Sequence, residues 1–190
     1  MPESRLNGMK VAILVADGFE QVELVEPRKA LDESGATTLI VSPKNEDTVR
    51  GWKFKEWGDN IKVDVSLPEA DAERFDALLL PGGVINPDKL RMIPEAVAFV
   101  KSFFDAGKPV AAICHGPWSI IEAGEARGRR IASWPSLKTD LRNAGAEWVD
   151  EQVVVDGNLV SSRKPDDLPA FNRAMIELFY RKAAEPRKAA

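Results

Sequence analysis

The only cysteine and the only histidine of the chain are neighbours, Cys114 and His115, in the stretch AAICHGP at residues 111–117. A thiol becomes a nucleophile once it loses its proton, and an imidazole can take that proton, so the pair suggests covalent catalysis through sulfur. An apolar strand that runs into Cys-His-Gly-Pro and then a helix has the layout of a nucleophile elbow, a sharp turn that lifts one side chain above a sheet. Gly116 permits close backbone approach, and Pro117 suits a first helical turn, where its missing N–H would be unpaired anyway. Taken alone, a cysteine closing an apolar strand reads as a small, inert core residue. Adjacency to the only histidine in a strand-turn-helix setting favours the reactive reading.

A free thiol near pKa ~8.5 is only a few per cent ionised at neutral pH, and lowering it by about two units takes roughly 2.7 kcal/mol. A helix start supplies about 0.3–1 kcal/mol, so other groups must help if the sulfur is to rest as a thiolate at the rim of the sheet, which is the expectation here. Side chains adjacent on a tight turn tend to diverge, which makes the backbone N–H of His115 the first contribution expected of it, as an oxyanion donor. Gly82 and Gly83 would add further N–H donors, or form no more than a tight turn after Pro81. Glu20 is the candidate acid: ionised, it would raise the thiol pKa; protonated, it would donate to the sulfur, and the two would titrate as a coupled pair. By itself, a glutamate in a first helical turn is solvated decoration. Trp118 and Trp134 are candidate pocket walls, although large aromatics also serve cores.

The frame that must position these residues alternates short apolar runs with helix-period segments. Residues 10–16 (KVAILVA) read as a buried strand, 20–34 as a helix with Val22, Leu24, Val25, Ala30 and Leu31 inward, and 37–41 as a second strand. Residues 51–65 alternate polar and apolar around Gly58-Asp59-Asn60, which predicts a hairpin there. Strands follow at 77–80 and 110–113, separated by a helix at 94–106 that begins with Pro94 and is stopped by Gly107. A short helix at 118–123, an apolar run at 130–133, a helix around 137–144 and a hairpin about Asp156-Gly157 come next. A last helix spans about 166–181, with Leu168, Phe171, Met175, Ile176 and Phe179 inward, before a frayed polar tail at 181–190. The expectation is a single α/β domain over residues 1–190, core about 9–180, with a mainly parallel sheet and helices on both faces. In such a sheet the reactive groups gather at the carboxyl ends of strands, where the loops at Ala16–Glu20, Pro81–Gly83 and Cys114–Pro117 would meet.

Composition narrows the function classes. With 29% charged residues and a net charge of −4, the chain has no basic face for nucleic acid. No apolar run has the length of a membrane span or of a signal peptide, so a cytoplasmic protein is expected. One cysteine cannot form an internal disulfide, and one cysteine with one histidine is too few for a structural zinc site without carboxylates. No metal or cofactor is expected.

Five separated blocks, GFEQVEL, FDALLLPGG, GKPVAAICHGP, SWPSLKTDLRNAGAEWVD and VVVDGNLVSSRKPDDLPAF, occur in an order that closely resembles the PfpI family of the DJ superfamily, over about residues 9–180. The resemblance implies a flavodoxin-like fold, similar to the class I glutamine amidotransferase domain, and assembly at least to a dimer with active sites near the subunit interface. It implies that Cys114 is the nucleophile, His115 its catalytic neighbour, Glu20 the acidic partner, and Gly82 and Gly83 the oxyanion-side glycines. In relatives, a carboxylate after the glycine pair reaches the histidine of an adjacent subunit. In VINPDKLR the nearest match is Asp88, a shorter side chain in a segment one residue longer.

The resemblance also implies two enzymatic readings: a stress-protective deglycase or glyoxalase acting on glyoxal and methylglyoxal adducts, or an intracellular cysteine peptidase. Peptide hydrolysis must protonate an amine leaving group, which needs a well-oriented acid. With one histidine beside the nucleophile, small reactive carbonyls are the better substrates, with weak peptidase activity at most. A third reading is a non-enzymatic redox sensor or holdase built on an oxidisable Cys114. A glutamine amidotransferase or papain-like peptidase is excluded because the distant histidine is missing.

Overall fold

The computed structural model describes residues 5–43 and 47–184. Strand β1 (Lys10–Leu14) leads through a two-residue strand β2 (Phe19–Glu20) to helix α1 (Gln21–Glu33) and strand β3 (Thr37–Ser42). A hairpin of β4 (Thr48–Lys53) and β5 (Glu56–Lys62), the short strand β6 (Val65–Ser66) and strand β7 (Ala77–Leu80) follow. Next come helices α2 (Ile85–Leu90) and α3 (Pro94–Asp105), strand β8 (Val110–Ile113) and helix α4 (Pro117–Glu122). The chain closes with β9 (Arg130–Ile131), α5 (Lys138–Asn143), β10 (Glu147–Trp148), the hairpin β11 (Val153–Asp156) and β12 (Leu159–Ser162), and α6 (Leu168–Ala184).

The central sheet has seven strands in the order β11-β12-β8-β7-β1-β3-β6, all parallel except β11, which runs antiparallel to β12. Its inner strands are apolar on both faces because both are covered, as a parallel sheet requires. Val11 and Ile13 of β1, Leu79 of β7 and Ile113 of β8 pack with Leu24, Leu31, Phe171 and Met175 of α1 and α6. The alternate positions, Ala12, Leu14, Leu78, Leu80 and Ala112, pack with Leu90, Phe99, Phe103 and Ile120 of α2, α3 and α4. After β1 the chain adds β3 on one side and then crosses to β7 on the other, so a crevice opens at the carboxyl ends of β1 and β7. Strand β8 lies beside β7, which brings the loop carrying Cys114 to the same crevice.

Three expectations change. The hairpin turns at Phe54 and Lys55, between β4 and β5, and Gly58, Asp59 and Asn60 lie inside β5. At Gly58 a Cβ would sit 2.1 Å from Oε1 of Gln21 on the helix behind it, and that oxygen accepts the Asp59 N–H at 2.8 Å. On α1, Val25 is exposed and the inward stripe is Glu23, Leu24, Pro27 and Leu31. The last helix continues through Ala184, and the rest of the polar tail, 185–190, lies outside the described residues. No helix among the described residues is long and apolar enough to cross a membrane.

Candidate active site

Cys114 follows β8 directly and adopts φ 62°, a left-handed conformation that costs a non-glycine residue about 1–3 kcal/mol. The surroundings hold it there: its N–H donates to the Ser162 carbonyl (3.1 Å), its carbonyl accepts from the Trp134 N–H (2.9 Å), and the Gly116 N–H returns to the Ile113 carbonyl (2.9 Å). The sharp turn expected from Cys-His-Gly-Pro is therefore present, with helix α4 starting at Pro117.

The acid beside the sulfur is Glu23, not Glu20. Glu20 is the extended residue just before α1 (φ −63°, ψ 115°), and its half-buried carboxyl accepts the N–H of Phe54 in the neighbouring hairpin. Glu23, in the first turn of the helix, faces inward and is 0% exposed. Its Oε2 accepts the Gly82 N–H at 3.0 Å, and its carboxyl meets the Cys114 thiol. Oε1 is buried without a hydrogen-bond partner, so ionisation would leave a bare charge in the interior. Burial accordingly pushes Glu23 up to about 8, with the nearby Glu20 carboxylate adding to the effect. Glu23 is thus a neutral acid at pH 7, able to donate to sulfur.

Both glycines turn backbone N–H groups toward the Glu23 carboxyl, and Gly83 serves the sulfur as well. Gly82 gives its N–H to Glu23 Oε2, and the N–H groups of Gly83 and His115 favour charge on the sulfur. A side chain at Gly82 has no room, since a Cβ would lie 2.4 Å from Glu23 Oε2 and 2.6 Å from Cys114 Cβ. Buried Asn86 ties this strap to the end of β1: its Oδ1 accepts the Ala16 N–H (2.8 Å), and its Nδ2 donates to the carbonyls of Pro81 (3.0 Å) and Gly82 (3.2 Å).

Burial also raises the thiol pKa, and a charge on Glu23 would raise it further. The resting thiolate expected from the sequence is therefore opposed by burial and favoured by the Gly83 and His115 N–H groups, and a neutral Glu23 adds no charge against it. The sulfur gains its charge as it loses its proton, with Glu23 and two backbone N–H groups already aimed at it.

The taker of that proton is at hand. Contrary to the expected divergence of adjacent side chains, His115 Nδ1 lies 3.2 Å from Cys114 Sγ. This contact occurs with Cys114 in its left-handed conformation. Burial pushes His115 down to about 4, so the ring is a neutral base at pH 7. Both candidate tryptophans reach this ring: Trp134 stacks on it (centroids 6.1 Å apart, 24° between planes) and Trp118 meets it at 5.0 Å and 62°. Trp118 is itself held by Asp140, which accepts its Nε1–H at 2.9 Å. Asp88 is paired with Arg91 at 2.7 Å, and among the described residues no hydrogen bond joins it to His115 of its own chain.

The sequence reading missed Glu23, Asn86 and Ser136, whose Oγ lies 3.2 Å from His115 Nε2. A signal existed for Glu23: it stands four residues before Pro27 and eight before Leu31, a carboxylate on the apolar stripe. Nothing in residue spacing marks the other two. Among the described residues, no three His, Cys, Asp or Glu side chains come together as metal ligands.

A model of the DJ-1/PfpI family matches residues 9–178. A protein of Pyrococcus abyssi named a deglycase is 48% identical over 170 residues, 90% of this chain and 99% of that one. General stress protein 18 of Bacillus subtilis is 42% identical over 172 residues, 90% of this chain and 98% of that one. Among solved structures, a two-domain protein of Anabaena variabilis with DJ-1/ThiJ/PfpI-like and ferritin-like domains superposes with a TM-score of 0.85 at 36% identity. That match covers 95% of this chain and 52% of the other.

Proposed function

The chain belongs to the DJ-1/PfpI family, and from that premise we propose that it is a stress-protective, cysteine-dependent deglycase acting on glyoxal- or methylglyoxal-derived adducts. The observation that carries the reading is the Cys114 thiol on a strained elbow, between the buried carboxyl of Glu23 and Nδ1 of His115 at 3.2 Å. Relatives named deglycase and general stress protein support it.

The chemistry follows from the groups present. As the sulfur bonds to the carbonyl carbon of a dicarbonyl or its adduct, the thiol proton passes to Nδ1 of His115, and the carbonyl π pair moves onto oxygen. The proton returns from Nδ1 to that oxygen, so the site ends the addition step neutral. The Gly83 and His115 N–H groups and protonated Glu23 lower the barrier by meeting negative charge as it develops on the sulfur. Peptide cleavage needs more, because the imidazolium must persist until it protonates an amine. A hydroxyl rather than a carboxylate faces Nε2, and burial disfavours the charged ring. Assembly at least to a dimer belongs to the same proposal, on the strength of the family resemblance.

The test incubates the full chain with methylglyoxal adducts of N-acetylcysteine and N-acetyl-lysine, and separately with fluorogenic peptides, using Cys114→Ala as control. Release of free thiol or amine faster than with Cys114→Ala, together with slow peptide cleavage, is expected. Rapid peptide cleavage with untouched adducts, or equal adduct loss in the control, overturns the reading.

A further inference from the structure

Gln21, the first residue of α1, is fastened by the β4–β5 hairpin. Its Nε2 donates to Asp59 Oδ2 at 2.6 Å, and its Oε1 accepts the Asp59 N–H at 2.8 Å, so both ends of the amide are engaged by one residue of β5. The hairpin leaves room for this side chain. A Cβ at Gly51 would lie 3.0 Å from Gln21 Oε1 and 3.2 Å from Gln21 Cβ, and one at Gly58 would lie 2.1 Å from the same oxygen. The glutamine thus occupies the space that side chains of β4 and β5 would otherwise fill, and the register of the two strands shifts there, between Arg50 and Trp52. The preceding residue is tied to the same hairpin, since the Glu20 carboxyl accepts the Phe54 N–H. Glu20 gives its own helix no side-chain cap, so the first turn has these tertiary contacts where a capping bond would usually stand.

We propose that Gln21 is a positioning residue: lodged in the hairpin, it fixes the first turn of α1 so that Glu23 faces the Cys114 thiol. The inference deepens the reading of Glu23 as the acid beside the nucleophile, and rests on it. Residues two apart on a helix point about 200° from one another, so an anchor on one side of the first turn aims Glu23 to the other. The contacts follow that division: Gln21 meets Asp59 of the hairpin, and Glu23 meets the Gly82 N–H at 3.0 Å and the thiol. Leu24 and Leu31 press the helix onto the sheet, and Arg28 Nε donates to Thr38 Oγ1 at 3.1 Å, which sets the helix axis. The Gln21 anchor sets the turn on which the acid stands. Its partner is held in turn by Lys53, whose Nζ lies 3.2 Å from both carboxylate oxygens of Asp59. A displacement of the Glu23 carboxyl by about 1 Å is enough to weaken its contact with sulfur.

Alkylation of the full chain by iodoacetamide at pH 7 reads this aim without a substrate, because Cys114 is the only cysteine. Gln21→Ala should slow the reaction roughly 3–10-fold, as the developing thiolate loses its donor for much of the time. On a Glu23→Ala background the same substitution should change the rate by less than about 2-fold, since no acid remains to be aimed. Gln21→Glu alone sets two carboxylates against each other and should slow alkylation as Gln21→Ala does. Combined with Asp59→Asn, it exchanges donor and acceptor across the same contact and should return the rate to within about 2-fold of wild type. Near-UV circular dichroism matching wild type establishes that each variant compared is folded. A Gln21→Ala or Gln21→Glu protein that reacts at the wild-type rate overturns the proposal. So does a Gln21→Ala effect equally large with and without Glu23, or a folded exchange pair that stays slow. No adduct enters the measurement, so the inference can fail while deglycase activity stands, and the reverse.

Discussion

Replacing Glu23 by Gln keeps the shape of the side chain and removes its titration, which turns the buried acid into a measurable quantity. In the folded protein, burial lifts Glu23 from its ordinary 4.5 to about 8. A group bound more tightly to its proton in the folded state stabilises the fold fully below its unfolded pKa. That contribution is lost as the pH rises toward the folded value. Between pH 5.5 and 7.5 the unfolded chain has already released this proton and the folded chain has not. Each pH unit therefore costs about 1.4 kcal/mol, and the two units together cost about 2–3 kcal/mol. His115 titrates over part of the same range with the opposite sign. Lowered to about 4 from 6.5, it contributes stability present above 6.5 and lost as the pH falls toward 4. The His115 slope is common to wild type and Glu23→Gln, so the difference between them isolates Glu23. Urea unfolding of both proteins at pH 5.5, 6.5 and 7.5 should show wild type losing about 2–3 kcal/mol relative to the variant as the pH rises. Parallel curves across that range would mean that Glu23 is already ionised in the fold, and the neutral donor to sulfur would have to be abandoned.

Three further outcomes follow from the same geometry. The pH profile of kcat/KM should be bell-shaped, with an acid limb near 4, where His115 gains a proton, and an alkaline limb near 8, where Glu23 loses one; an acid limb near 6.5 would show an unperturbed histidine. Gly82→Ala should lower activity at least about 100-fold and cost about 1–3 kcal/mol in stability, read by steady-state kinetics and denaturant melts, because its Cβ has only 2.4 Å to Glu23 Oε2. Asn86→Ala leaves the buried Ala16 N–H without its acceptor and frees the Pro81-Gly82 strap, so a loss of about 2–4 kcal/mol is expected, with kcat falling more than KM rises.

Much of the frame is written in local pattern. Apolar runs closed by glycine and proline mark β1, β7 and β8, and the Asp156-Gly157 turn marks the β11–β12 hairpin, because these signals depend on neighbours in sequence. The elbow at Cys114 was legible for the same reason: Cys-His-Gly-Pro after an apolar strand is a local instruction to turn. The misplaced hairpin turn shows the limit of such signals. Gly58-Asp59 has the composition of a turn, yet it serves as the strand surface on which Gln21 docks, from 38 residues away.

Composition and order alone determined a doubly wound α/β chain with one reactive thiol at a strand end, since periodicity and turn chemistry are properties of contiguous residues. The choice between Glu20 and Glu23 belonged to the tertiary structure. The two lie three residues apart, and which one faces the sulfur depends on where α1 begins and how it is rolled against the sheet. The same holds for Asn86 and Ser136, whose partners are 70 and 21 residues distant. Hydrogen bonds of that range, and the burial that sets the protonation of Glu23 and His115, exist only once the loops after β1, β7 and β8 have been packed together. Spacing along a chain carries no record of solvent or of field.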